Sequence, residues 1–407
     1  MTIIKVVDSI MGSGKTSAAI NLMKEAPSDK NFVFITPFLP EVERIKDSID
    51  KDIRRFHDPK IHMSEGKLNT KLDSLHKLLA NNKDIVSTHA LFKRATDETK
   101  SLIHAGDYTL ILDEVMDVVE QLKINKNDLE LLFNQELIYL EDGFIKWNEN
   151  KKDFETRYDD IRDMALNNNL IYFRETILIW TFPVEVFKAF KEVYILTYLF
   201  DSQLQKYYYD LHDLKYEKYI AEQVEGKYII TNNEANTKHI KQSIKEKINI
   251  YEGNLNNIGD EDFSLSSSWY EKKSTHTKGK LKNNIGNYFK NKVKSSSEEA
   301  MWTTFKKQKD KLKGQGYTKG FVSCTARATN VYKDKKNLAY TINRFINPII
   351  SGFFNEKGIE LNQNKYALSE LVQWIWRSAI RDGKEINLYI PSKRMRKLLI
   401  DWLDDKL

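Results

Sequence analysis

IIKVVDSIMGSGKTSAAI, residues Ile3 to Ile20, changes character twice within one short stretch. Ile3 to Val7 is a β-branched run suited to a buried strand, Gly12 to Thr16 reads GSGKT, and Ser17 to Lys24 opens a helical pattern. Only small residues make so tight a turn between strand and helix. Such a turn aims several backbone N–H groups, and the positive end of the helix dipole, at one point. That is a cradle for phosphate. Gly12, Ser13 and Gly14 supply backbone donors, Lys15 can reach β- and γ-phosphates, and the Thr16 hydroxyl suits Mg²⁺. The leading glycine of the usual signature is missing, so only its GSGKT half is met.

Working outward, Asn31 to Ile35 is a second apolar run ending in Thr36-Pro37, with a helical pattern over Glu41 to Ile49. Lys71 to Ala80 places Leu72, Leu75, Leu78 and Leu79 on one helix face, and Asp84 to Ser87 is a strand leading to Thr88-His89. Tyr108 to Leu112 is an apolar strand that ends in Asp113-Glu114. Strands alternating with helices predict a parallel sheet covered on both faces, with ligands at the carboxyl ends of the strands. Two carboxylates at such an end are costly to desolvate unless something binds them. Beside a phosphate cradle, Asp113 suits Mg²⁺ and Glu114 the polarisation of an attacking water.

The 407 residues suggest two domains of ordinary size. The expected division is 1–215 and 216–407, with a polar insertion at about 124–168 in the first and a basic insertion at about 255–318 in the second. From Lys272 to Lys319 there are fourteen lysines against Glu298, Glu299 and Asp310, so this segment carries +11 and the rest of the chain −5. A segment so basic suits a polyanion, because neutralising phosphates releases counterions. It equally suits a solvated insertion. Its aromatics Tyr288, Phe289, Trp302 and Phe305 read either as a base-stacking surface or as the apolar face of ordinary helices, and Tyr207 to Tyr209 read as core.

Lys227 to Ile230 is expected to begin the second domain's strands. Leu338 to Phe345 reads as a helix. Leu368 to Ile380 is a helical pattern on which Gln373, Arg377 and Arg381 would share one face. Cys324 is the single cysteine and cannot form an internal disulfide, which suits a reducing compartment. The N-terminus lacks a charged-then-apolar leader and no apolar run is long enough to span a membrane, so a cytoplasmic protein is expected.

Taken together these residues resemble superfamily 2 helicases, specifically the compact phage-type DNA helicases with two RecA-like domains. Met11 to Thr16 resembles motif I, Ile35 to Pro37 motif Ia, Ser87 to His89 motif Ib, Leu112 to Glu114 motif II, Leu196-Thr197 motif III, Thr325 to Asn330 motif V and Gln373 to Arg381 motif VI. The matches run through most of the chain, and their order and spacing carry the resemblance. Trp376 stands where the family has glycine, and Arg381 lies four residues after Arg377 instead of three, which makes Arg377 the safer arginine finger. The resemblance implies an α/β protein with two RecA-like parallel-sheet domains in tandem. ATP and Mg²⁺ would bind in the cleft between them, with Glu114, Gln373, Arg377 and Arg381 catalytic. Thr36, Pro37, Thr88, His89, Thr325, Arg327, Lys278, Lys280 and Lys282 would contact nucleic acid. Single-stranded or forked DNA is the expected partner, RNA the alternative, and phage replication or recombination the expected setting. A nucleic-acid-stimulated ATPase that moves without unwinding, and a nucleotide-gated initiation or assembly module, remain as competing readings.

Overall fold

The computed structural model describes residues 2–64, 67–233, 237–325 and 331–407. It divides into two compact units. Met1–Ser9, Ser13–Glu234 and Asn347–Leu361 form the first; Ile10–Gly12, Ala235–Ile346 and Asn362–Leu407 form the second.

The first unit is built on an eight-stranded sheet. Its order is Lys227–Thr231, Tyr216–Val224, Ile3–Asp8, Glu192–Thr197, Thr109–Asp113, Phe32–Thr36, Asp84–Thr88 and Phe56–His57. All neighbours are parallel except the first pair, an antiparallel hairpin. Phe32–Thr36 and Thr109–Asp113 are buried at every residue, as near-continuous apolar strands in the middle of a parallel sheet must be. Helix Lys71–Ala80 starts on a capping box between Thr70 and Asp73. The sheet's far edge is held by Arg54, whose side chain is 5% exposed. Its guanidinium donates to Asp84 at 2.8 Å, to the Lys30 carbonyl at 2.6 Å and to the Pro27 carbonyl at 2.8 Å.

Three expectations for this region change. The Lys227 strand belongs to the first sheet, because Tyr216–Val224 pairs with Ile3–Asp8 and carries the hairpin with it. The expected change of domain at 215/216 therefore falls inside the first unit, which runs on to Glu234. The polar insertion is also larger and more β-rich than its composition suggests. Val119–Gln121, Ile177–Thr181, Leu170–Phe173, Phe144–Trp147 and Ile138–Glu141 form a separate five-stranded antiparallel sheet. This sheet has its own core of Leu129, Leu132, Ile145, Trp147, Ile161, Leu170 and Leu178.

The second unit has a four-stranded parallel sheet in the order Ile248–Ile250, Ile386–Tyr389, Asn337–Tyr340 and Ala300–Thr303. Residues 338–345, expected to be helical, supply one of these strands. Neighbours on both sides decide the matter, since four buried residues in a row suit an interior strand. The basic segment does not merely interrupt the sheet: it contributes the Ala300–Thr303 strand. Tyr288, Phe289 and Trp302 are buried in the core with Leu281, Ile285 and Tyr317, and Phe305 packs against it, so none of these aromatics forms a stacking surface. Tyr207 to Tyr209 are buried, as expected of core.

Candidate nucleotide site

The Ile3–Asp8 strand lies inside the sheet, so its carboxyl end delivers the chain to the edge where neighbouring strands also end. From there the backbone turns through Gly12 and Gly14, both left-handed at φ 85° and 83°, and enters helix Lys15–Glu25. A methyl group at Gly14 would collide with the Tyr228 ring, so this position needs glycine for conformation and for space. Position 9 corresponds to the leading glycine of the phosphate-loop signature and is serine here. Ser9 ties the loop's start in place: its hydroxyl accepts from the Ala221 N–H at 2.8 Å, and its carbonyl accepts from Lys15 Nζ at 2.7 Å. The Ser13 hydroxyl is buried with no partner among the described residues. The Asp8 carboxylate accepts from the backbone N–H groups of Leu199 and Phe200 at 2.8 and 3.0 Å, pinning the loop that follows Glu192–Thr197. Burial raises the Asp8 pKa despite those two bonds.

Two strands away, Asp113 ends the Thr109–Asp113 strand and is 8% exposed. Its Oδ1 lies 3.3 Å from the Thr16 hydroxyl. Burial, and then the charge of Glu114 beside it, push the Asp113 carboxyl up to about 7. Glu114 is half-buried and left-handed at φ 63°, with its N–H donating to the Leu196 carbonyl at 2.9 Å. A non-glycine residue in that region is strained, and the strand ends flanking it hold it there. His89 Nε2 lies 3.1 Å from the Asp113 carbonyl oxygen. Gln205, which sequence reasoning passed over, is buried and accepts from the Met116 N–H at 3.0 Å, fixing the chain after the two acids. Nothing in its local sequence signals this, because the bond joins residues far apart in the chain.

The donor set suits a phosphate-bound divalent cation. Thr16 and Asp113 are the two protein oxygens within reach of each other, and among the described residues no cluster of three or more His, Cys, Asp or Glu offers a cage of its own. Mg²⁺ is commonly held in this way, by one or two protein oxygens plus phosphate and water. Thr197 and Thr36 end the two strands that flank Thr109–Asp113, and both hydroxyls are buried without partners among the described residues.

The other expected site residues are distributed as follows. Thr36 is fully buried and opposite Thr88 in the sheet register, whereas Pro37, Thr88 and His89 are half-buried. A groove of about 500 Å³ lined by Leu39, Lys60, Lys71 and Thr88 opens beside them. Lys278 is half-buried and Lys280 and Lys282 are exposed on helix Thr275–Asn287. Thr325 is exposed, with its hydroxyl 3.1 Å from that of Ser323, while Arg327 lies outside the described residues along with the rest of the expected motif V.

The expected helical row is not formed. Helix Gln363–Ile375 carries Gln373 and stops before Arg377; the Ser378 hydroxyl bonds the Ile375 carbonyl at 2.7 Å and closes the last turn. Arg377 is buried in the following turn, and Arg381 is exposed on a separate 3₁₀ turn, Ala379–Asp382.

Comparison with known proteins gives both family and fold. Residues 242–403 match a family model described as the YonV C-terminal Rossmann-like domain, and residues 119–180 match the YonV middle domain. The latter span is the antiparallel insertion. Over 409 aligned residues the chain is 51% identical to the SPbeta prophage-derived uncharacterized protein YonV of Bacillus subtilis strain 168, covering 99% of each. Among solved structures it is similar to a chain named XPD helicase, at 10% identity and a TM-score of 0.53, covering all of this chain and 95% of that one. It also resembles the helicase MrfA bound to DNA and AMPPNP, at 10% identity and a TM-score of 0.35, covering 48% of that chain. The first of these establishes a helicase-type α/β fold with parallel sheets.

Proposed function

This chain belongs to the YonV family, and we propose that it is an ATP- and Mg²⁺-dependent enzyme of helicase type that works on nucleic acid. The observation that carries this reading is the convergence, at one sheet edge, of the Gly12–Thr16 turn with Asp113 and Glu114, drawn from opposite ends of a span of about a hundred residues. Lys15 would leave the Ser9 carbonyl for the β- and γ-phosphates. The backbone N–H groups from Gly12 to Thr16 would hold the same phosphates, and Thr16 and Asp113 would hold the cation. Mg²⁺ supplies neutralisation of the charge that builds on the phosphates. Glu114, half-buried beside Asp113, would orient the attacking water and accept its proton. Gln373, Arg377 and Arg381, carried by the second unit, are proposed to serve turnover.

DNA, single-stranded or forked, is the proposed partner, with RNA as the alternative. Support comes from the lysines of the basic segment. Lys278, Lys280, Lys282, Lys290, Lys292 and Lys294 form no ion pair among the described residues, so their charge is not spent internally. The prophage origin of the relative supports a phage setting.

The test is steady-state ATP hydrolysis with single-stranded, duplex and forked DNA and RNA, followed by strand displacement on a forked duplex. Stimulation by at least one nucleic acid is expected. Hydrolysis that no nucleic acid changes would refute the nucleic-acid role. Stimulation without displacement would favour a translocase over an unwinding enzyme.

A further inference from the structure

We propose that Tyr228 is the surface on which the base of a bound nucleotide stacks. This deepens the nucleotide-site reading and rests on it. The direction of the nucleotide follows from the sheet order. The phosphate cradle sits at the end of Ile3–Asp8, and the metal-suited Asp113 stands two strands to one side, beyond Glu192–Thr197. At about 4.8 Å per strand, that is roughly 10 Å along the sheet edge. The terminal phosphate, which shares the cation, must lie toward Asp113, so the nucleoside leaves toward the opposite side. On that opposite side the next strand is Tyr216–Val224, and its hairpin partner Lys227–Thr231 carries Tyr228.

The backbone at Tyr228 is fixed there. Its carbonyl accepts from Asn21 Nδ2 at 2.9 Å, and the neighbouring Lys227 pairs with Glu25, so the backbone is clamped to the helix that follows the phosphate loop. Ser9, which begins that loop, takes the Ala221 N–H from the same hairpin. The ring lies against Gly14, packs on the edge of the first unit's core and remains half-exposed. Its hydroxyl has no hydrogen-bond partner among the described residues. An anchored aromatic ring, open on part of its surface and touching Gly14 of the cradle, offers a base a preformed stacking platform at little ordering cost.

The experiment measures calorimetric binding of Mg·ATP and of Mg·tripolyphosphate to the full chain and to Tyr228→Leu and Tyr228→Phe. Tripolyphosphate uses the cradle alone, so it also reports whether the loop is intact. Tyr228→Leu should weaken ATP about tenfold and leave tripolyphosphate within about twofold, and Tyr228→Phe should bind both as the parent does. Two results overturn the proposal: ATP affinity unchanged in Tyr228→Leu, or an equal loss for both ligands, which would make the ring a support for the loop. If the parent protein binds neither ligand, the nucleotide site itself is refuted and this inference falls with it.

Discussion

Two carboxylates at the end of a buried strand repel each other, and Asp113 and Glu114 stand side by side, the charge of Glu114 adding to burial in raising the Asp113 pKa. The proposed division of labour makes them separable. Glu114→Gln should bind ATP as the parent does and hydrolyse it about a hundredfold more slowly or worse, as loss of a general base requires; parallel binding and turnover measurements check this, and an unimpaired rate would remove Glu114 from the chemistry. A second carboxylate gives a prediction for stability. Burial pulls the Glu192 pKa upward, but hydrogen bonds from Lys30 at 2.6 Å and Lys5 at 2.9 Å outweigh it and hold the group below its ordinary range. A lowered folded pKa contributes stability above the unfolded value, about 4.3, that is lost as pH falls through the folded one. Glu192→Gln should therefore cost about 1 kcal/mol at neutral pH. The gap should narrow as pH falls below about 4.3, the unfolded value, as denaturant unfolding across pH would reveal. At this scale the positions of the Gly12–Thr16 turn, ahead of a helix, and of the two acids, at and just after a strand's end, were legible in the sequence, because each is a contiguous motif. It was silent on Ser9, Gln205 and Tyr228, whose partners lie about ninety to more than two hundred residues away.

Elements whose character is set by their own residues were readable. Helix Lys71–Ala80 and the strands ending at Thr36, Thr88 and Asp113 fall within a residue or two of their expected places. Elements decided by neighbours were not. Asn337–Tyr340 is a strand because two strands flank it, and the Gln363–Ile375 helix ends early because the Ser378 hydroxyl competes for a carbonyl the next turn would use. Arg54 shows how much one such neighbour-dependent side chain can carry. It joins the end of helix Lys15–Glu25 to the Asp84–Thr88 strand through Asp84 and the carbonyls of Met23, Ala26, Pro27 and Lys30. Arg54→Met would strand Asp84, itself bonded to the Phe32 N–H, without its cation. Removing one partner of a buried pair costs about 3 to 5 kcal/mol. Equilibrium unfolding should show a loss of that size, and a loss below about 1 kcal/mol would mean that the network is not structural.

Over the whole molecule, composition marked out the basic segment but presented it as an insertion, whereas it supplies the Ala300–Thr303 strand, and of the two readings of its aromatics the structure follows the apolar helix face. Its aromatics build the second unit's core and its lysines remain outside, so one segment supplies both a packed interior and a charged exterior. Replacing Lys278, Lys280, Lys282, Lys290, Lys292 and Lys294 by alanine should leave folding intact. The slope of log affinity for single-stranded DNA against log salt should become shallower, by about 0.7 for each phosphate that is no longer neutralised. An unchanged slope would place DNA elsewhere. The alternation of strands and helices revealed the parallel sheets, whereas the antiparallel insertion was hidden by its polar composition, since one solvated face dilutes the apolar signal. All of this rests on a triphosphate occupying the cradle. The most direct test is a structure of the chain with Mg²⁺ and a non-hydrolysable ATP analogue. The account predicts the β- and γ-phosphates against the N–H groups of Gly12 to Thr16, Lys15 Nζ moved from Ser9 onto them, and the cation shared with Thr16 and Asp113. An analogue bound elsewhere, or a cradle that stays closed on Ser9 at saturating ligand, would contradict it.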